Sequence, residues 1–183
     1  MLTKEETWKK LVGMEIVRGD MPDEGAWLLY GKDLREADLS EVNLSEADLS
    51  GTNLSSANMS GAWLREVNLG KADLSAANLS KANLRFAYLD YVNFTGADLS
   101  GADVGETDLR GSDLSGANLT GANLEEAQMR GTILRKALLI KSNLQKTALS
   151  EADLSEADFS ESDLGEADLD EANLTGASIC GNT

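Results

Sequence analysis

Large apolar residues recur at every fifth position from Leu34 to Ile179 without a break in register. Of these 30 centres 24 are Leu, and the others are Met59, Phe94, Val104, Met129, Phe159 and Ile179. Leu29, just ahead, already sits in the same register. Two residues before a centre stands a small residue, usually Ala, as at Ala37, Ala47, Ala72 and Ala152. The residue before the centre is usually Asp or Asn, the one after is often Ser, and the next is often Glu or Gly. A helical stripe needs spacings of three and four, and a strand alternates at two. A period of five fits neither. The residues at i−2 and i both face inward as a very short extended piece, and those that follow turn a corner. Repeated corners wind the chain into a solenoid, the architecture that a short fixed period signals. Each coil then buries its apolar side chains on its neighbours.

The Asp positions bear on how many repeats close one coil. Twelve of the residues preceding a centre are Asp. Pairs occur at separations of fifteen, such as Asp33 with Asp48, but none at twenty. In a four-sided coil, residues twenty apart stack at a strand spacing of ~4.8 Å. Two carboxylates there would repel by about 1 kcal/mol even in water. Asp over Asn can instead hydrogen-bond, and one column alternates as Asp33, Asn53, Asp73, Asn93, Asp113. Avoidance at twenty therefore points to four sides. Thirty repeats then give about seven and a half coils and a column ~36 Å long.

Ahead of the repeat, Thr3 and Glu6 form a capping-box pattern, and Trp8, Leu11, Val12 and Ile16 recur near helical spacing. They predict a short helix over 3–17. Gly19, Pro22 and Gly25 mark a linker. The chain thus divides into a capping helix and linker at 1–26 and a β-solenoid at 27–183.

Composition narrows the function. The chain of 183 residues carries a formal charge of −16, no His and one Cys. A direct nucleic-acid binder is excluded, because nothing replaces phosphate counterions along a groove. The field favours solubility and basic partners. Without His there is no Ser-His or Cys-His arrangement. The carboxylates are spread so evenly that no acid/base pair stands out. Oxygen-ligand ladders match no EF-hand loop. We therefore expect no catalysis, no cofactor and no metal. A run of 18 apolar residues is absent, so no membrane-spanning helix is expected, and the charged Met1–Arg18 stretch is not a secretory signal. Together with the single cysteine, Cys180, this leads us to expect a cytoplasmic protein.

The run Ala37-Asp38-Leu39-Ser40-Glu41, with copies such as Ala152-Asp153-Leu154-Ser155-Glu156, resembles the pentapeptide-repeat family over about 150 residues. That resemblance implies a right-handed quadrilateral β-helix, with the N-terminal segment as its capping helix. It also implies a bacterial setting and few known activities. Quinolone-resistance members bind DNA gyrase as DNA mimics, while many others have no assigned activity. The resemblance therefore points first to a non-catalytic, protein-binding scaffold. The alternative is an acidic DNA mimic that binds or protects a type II topoisomerase such as DNA gyrase. The acidic rod favours the alternative. An uninterrupted repeat with no projecting loop, and Leu rather than Phe centres, count against it.

Candidate sites are the outward positions that break the pattern. Trp63 stands where Asp or Asn is usual, and Phe86, Tyr88 and Tyr91 follow about one coil later. Arg65 and Arg85, twenty apart, should stack. Together these six residues would form an aromatic and basic patch around one corner, of the residue types enriched in interface hot spots. A second break places Ile133, Leu138 and Ile140 outward among Arg130, Arg135, Lys136, Lys141 and Lys146, followed by ten acids and no base over 151–171. Four residues follow the last centre, which leaves no length for a C-terminal capping helix. A homodimer through the C-terminal coil is the corresponding partner expectation, beside an unidentified protein partner.

Overall fold

A computed structural model of the chain describes residues 2–14 and 27–181. From Leu28 onward, every β-bridge is parallel and joins residues twenty apart, from Leu28 with Asp48 to Asp158 with Ser178. Four repeats therefore close one coil, and the chain is a right-handed quadrilateral β-helix. Residues 27–181 make about seven and three-quarter coils. We number the faces by the bridge columns that begin at Asp33 (first), Asp38 (second), Asn43 (third) and Leu28 (fourth).

The corners explain the polar half of the repeat. At the corners the N–H of the residue three past the centre donates to the centre's carbonyl, as Ala57 does to Leu54 at 3.0 Å. The residue two past the centre has a positive φ, from Gly31 at 63° and Glu36 at 58° to Gly181 at 74°. One positive φ at that place is what a type II turn requires. Glycine takes it freely, whereas an L side chain pays about 1–2 kcal/mol. The N–H of the same residue is fixed to the next coil, as Gly51 to Gly70 O at 2.9 Å, which holds the strained conformation.

Asp or Asn before the centre has two tasks. Its Oδ1 accepts the N–H two residues on, as from Ser50 to Asp48 at 3.0 Å. Across the coil step Asn donates to Asp, as Asn93 to Asp73 at 3.0 Å, Asn123 to Asp103 at 2.9 Å and Asn173 to Asp153 at 3.1 Å. The pairing that the Asp spacing predicts is thus present.

Inside, every centre from Leu29 to Phe159 is buried. Between Ala37 and Ser162 the companion positions hold nothing larger than Val. Seven of them, among them Thr52, Thr107, Ser112 and Thr132, bury a hydroxyl. Each finds a carbonyl: Thr52 Oγ1 donates to Leu49 O at 2.7 Å, and Ser112 Oγ to Leu89 O of the preceding coil at 2.5 Å. The Leu pattern gives no hint of these hydroxyls.

The helix, α1, spans Lys4–Gly13 and is shorter than the predicted 3–17. Its capping box is formed: Thr3 Oγ1 accepts the Glu6 N–H at 3.1 Å and Glu6 Oε2 accepts the Thr3 N–H at 2.8 Å. The inward stripe differs from the expected one. Thr7 and Leu11 are buried and Leu2 and Met14 pack on the core, whereas Val12 is exposed. Thr7 turns inward because its hydroxyl accepts the Asn43 N–H at 2.9 Å, which the first coil would otherwise leave open. Leu2 N–H and Lys10 Nζ cover two further carbonyls, of Glu41 at 3.0 Å and of Ser40 at 3.1 Å. Ile16 and the linker lie outside the described residues. At the opposite end burial fades: Leu164 and Leu169 are partly buried, and Leu174 and Ile179 are exposed.

Candidate interaction surface

Five of the six aromatic and basic residues straddle one corner, where the third and fourth faces meet at Phe86, and Tyr91 lies one face beyond. Trp63, Arg65 and Arg85 lie on the third face, and Phe86 stands at the corner that follows it. Tyr88 lies on the fourth face, and Tyr91 at the corner beyond. The reason is the quarter-turn per repeat, which separates residues 86 and 91 by a whole face.

On the third face the parts meet. Arg65 and Arg85 are stacked in successive coils, and both guanidinium groups lie over the Phe86 ring, at 4.6 Å and 5.2 Å from its centroid. Such contacts stabilise by about 0.5–1 kcal/mol each at exposed sites. Arg65 Nε also pairs with Glu66 at 3.0 Å, and Arg85 Nη2 with Glu106. These acids belong to a corner column that reads Glu46, Glu66, Phe86, Glu106, Glu126. Phe86 therefore interrupts a ladder of like charges, and the arginines neutralise its neighbours. That is a structural role. Trp63, on the same face, is 41% exposed.

Two further observations go beyond that role. Phe86 and Tyr91 hold φ of 62° and 56°, and they are the bulky aromatic residues among the positive-φ corners. Trp63 and Tyr88 place no amide or carboxylate oxygen where it could accept the N–H of Arg65 or Asp90, a bond made at the neighbouring corners, where Asn68 Oδ1 accepts the Gly70 N–H at 3.1 Å and Asn83 Oδ1 the Arg85 N–H at 3.1 Å. Four departures from the local rule thus cluster within two coils. At the corner beyond the fourth face the Tyr91 ring lies against Gly111, where an added Cβ would come within 2.7 Å of it. Beside Tyr88, a shallow notch is lined by Ser50, Asn68, Gly70, Lys71 and Asp90. Gly70 opens it, since a Cβ there would meet Asp90 Oδ1 at 3.0 Å. A Gly at the usual Ser position is the sequence signal that could have revealed this notch.

The second break lies on the first and second faces. Ile133 and Ile140 are half-buried and Leu138 is 41% exposed. Here each cation meets a carboxylate in an adjacent coil. Arg135 pairs with Asp153 at 2.5 Å, Lys136 with Glu156 at 3.6 Å and Lys141 with Glu161 at 3.6 Å. Arg130 pairs with Glu151 at 2.5 Å and Lys146 with Glu126 at 3.2 Å. The Arg135 guanidinium, helped by Ser155, pulls the Asp153 carboxyl down to about 2. These exposed pairs contribute little each. Among the described residues no group of three or more Asp, Glu or Cys is placed to hold a metal ion, and no helix is long and apolar enough to cross a membrane.

Comparison with known proteins agrees with the fold. The family described as "Pentapeptide repeats (8 copies)" matches residues 33–70, 68–105, 97–135, 117–155 and 137–176. HetL from Nostoc sp. strain PCC 7120, a pentapeptide repeat protein involved in heterocyst differentiation regulation, is 30% identical over 85% of this chain and 81% of its own, with a TM-score of 0.46. A trypsin-treated form of QnrB1, a plasmid-mediated fluoroquinolone resistance protein, is 21% identical over 86% of this chain and 89% of its own, with a TM-score of 0.59. No curated protein matches the chain. Proteins of this kind are generally structural or interaction proteins, and no enzyme family is indicated. The repeat register, the twenty-residue coil and the family match together place the chain in the pentapeptide-repeat family.

Proposed function

We propose that the protein is a rigid, non-catalytic docking scaffold acting in the cytoplasm, and that a protein partner binds its third and fourth faces. Trp63, Arg65, Arg85, Phe86, Tyr88 and Tyr91 carry the contact. The observation behind this reading is the concentration of departures there: aromatic residues hold left-handed corners at 86 and 91, and aromatic rings displace the turn-capping side chain at 63 and 88. Strain of this kind clusters at binding sites. Trp, Tyr and Arg are the residue types that dominate interfaces. The solenoid holds them rigidly, so binding freezes little of the surface. Ile133, Leu138 and Ile140 form a secondary strip on the other two faces. The test is a pull-down from native lysate with wild type and the Trp63→Ser, Tyr88→Asn double variant. Loss of the captured protein supports the reading, and unchanged capture removes it.

A second reading makes the chain a DNA mimic acting on a type II topoisomerase. Its support is the charge of −16 on a rod whose fold is similar to that of QnrB1. A gyrase supercoiling assay with and without quinolone decides it, and no effect at stoichiometric excess removes it. Exposure of Leu174 and Ile179 supports a homodimer through the C-terminal coil. Light scattering at high concentration tests that pairing, which a persistent monomer would exclude.

A further inference from the structure

Resting on the reading of the aromatic coils as a docking surface, we infer that the third face selects an acidic peptide segment, whose carboxylate is held by Arg65 and Arg85 and whose neighbouring apolar side chain lies on Trp63. Charge complementarity carries the argument. Residues 52–89 hold Arg65, Lys71, Lys81 and Arg85 against Glu66 and Asp73, a local charge of +2 in a chain of −16. An acidic segment is repelled along most of the rod; of the two stretches with positive charge, 52–89 and 130–146, only the first holds its arginines over an aromatic ring, and that decides where the segment lands.

The arginines are prepared for this task. Both guanidinium groups are stacked on one ring, so their planes are set before a partner arrives. Each has five N–H donors. Arg65 donates from Nε to Glu66 and Arg85 from Nη2 to Glu106, so donors remain on both for an outside carboxylate. A carboxylate accepts two such bonds side by side, which a single lysine cannot match. Both side chains are reachable, at 51% and 36% exposure. The belt at 130–146 offers no equivalent: its five cations meet carboxylates, as Arg65 and Arg85 do, but among the described residues only Arg65 and Arg85 lie over an aromatic ring.

The probe is a fluorescein-labelled synthetic peptide of Glu-Glu-Tyr repeats, compared with its Gln-Gln-Tyr and Lys-Lys-Tyr counterparts by fluorescence anisotropy. Wild type should bind the Glu peptide more tightly than either counterpart. Arg65→Ser with Arg85→Ser should weaken it by about tenfold or more. Ser is native at the matching position of other repeats, as at Ser45, so the variant keeps the fold. Arg35→Ser with Arg110→Ser removes the same charge elsewhere on the rod and should leave binding unchanged. The inference fails if the Glu peptide does not bind, if the Lys peptide binds more tightly, or if the two double variants lose affinity equally. If Glu and Gln peptides bind alike and Trp63→Ser abolishes both, the acid selectivity falls while the docking surface stands.

Discussion

At 63–91 and at 130–148 the outer surface leaves the Asp/Asn–Leu–Ser pattern in two different ways. In the first region the inside is ordinary, with Ala62, Val67, Ala72, Ala77, Ala82, Ala87 and Val92 as companions to the centres. All the change is outside, where it costs turn bonds and backbone comfort. In the second region inside and outside change together. Thr132, Ser142 and Thr147 are buried with hydroxyls bonded to Met129, Leu139 and Leu124 carbonyls at 2.7, 2.6 and 2.9 Å. Ile133, Leu138 and Ile140 lie outside the same coil. Its cations are stitched to carboxylates of adjacent coils. Substitutions that the rest of the coil compensates are structural in character. Substitutions left uncompensated, as at Trp63 and Tyr88, ask for a partner.

That contrast requires the core beneath both regions to be equally firm. Leu89→Ala, beneath Tyr88, and Leu139→Ala, beside Leu138, should each destabilise by about 2–5 kcal/mol, because both side chains are fully buried between coils. Urea unfolding monitored by far-UV circular dichroism measures the two. A much smaller loss at Leu139 would mean that the hydroxyl-bearing coil is loosely packed, and the two regions would then differ inside as well as out.

Restoring the turn bond sharpens the comparison. Leu138→Asn returns an acceptor for the Ile140 N–H and a ladder partner between Asn118 and Asp158, while it removes an exposed Leu. It should stabilise by about 0.5–1 kcal/mol, read as a raised thermal midpoint, and leave partner capture intact. Trp63→Asn makes the same repair between Asn43 and Asn83. There the gain in midpoint should come with loss of capture. A loss of capture at Leu138→Asn would reverse the assignment of the two regions.

How much of this was legible beforehand follows from what the repeat encodes. The fold was legible because a buried Leu column tolerates no slip, and the avoidance of Asp over Asp at twenty already revealed the four-sided coil. The Lys141–Glu161 and Lys146–Glu126 pairs follow from the same register. The Phe86 stack was half legible: the column aligned Arg65 with Arg85, but the way the ring tucks beneath both depends on rotamers. The left-handed corner was signalled by Gly at 51, 61, 96 and 101, yet Glu at 36, 41 and 46 obscured it. The helix face was misjudged at Val12 because Thr7, a polar residue, turns inward to satisfy a backbone N–H.

The smallest expected effect concerns acid. Asp153 titrates at about 2 in the folded chain, below the ordinary 3.8, chiefly because Arg135 donates to it. A depressed carboxyl stabilises the fold above the ordinary value, and that contribution is lost as pH falls from 3.8 through 2. Arg135→Ser should return the Asp153 titration toward 3.8 and move the acid limb of the unfolding curve slightly upward in pH. Carbon-detected NMR titration of the Asp153 carboxyl reads the shift directly. An unmoved titration would assign the depression to Ser155 instead.

The coil of four repeats makes the rod a rotary device. Trp63 and Leu138 are separated by fifteen repeats, which places them on the third and second faces. Removal of five residues anywhere between them, such as 121–125, would leave each remaining Leu stacked on another apolar centre. It would also swing everything downstream by a quarter turn and carry Leu138 onto the first face. Repeat number therefore sets an angle as well as a length. Lineages of such a chain can re-aim one surface against another by gaining or losing a single repeat, with no change to either surface and little cost to the column.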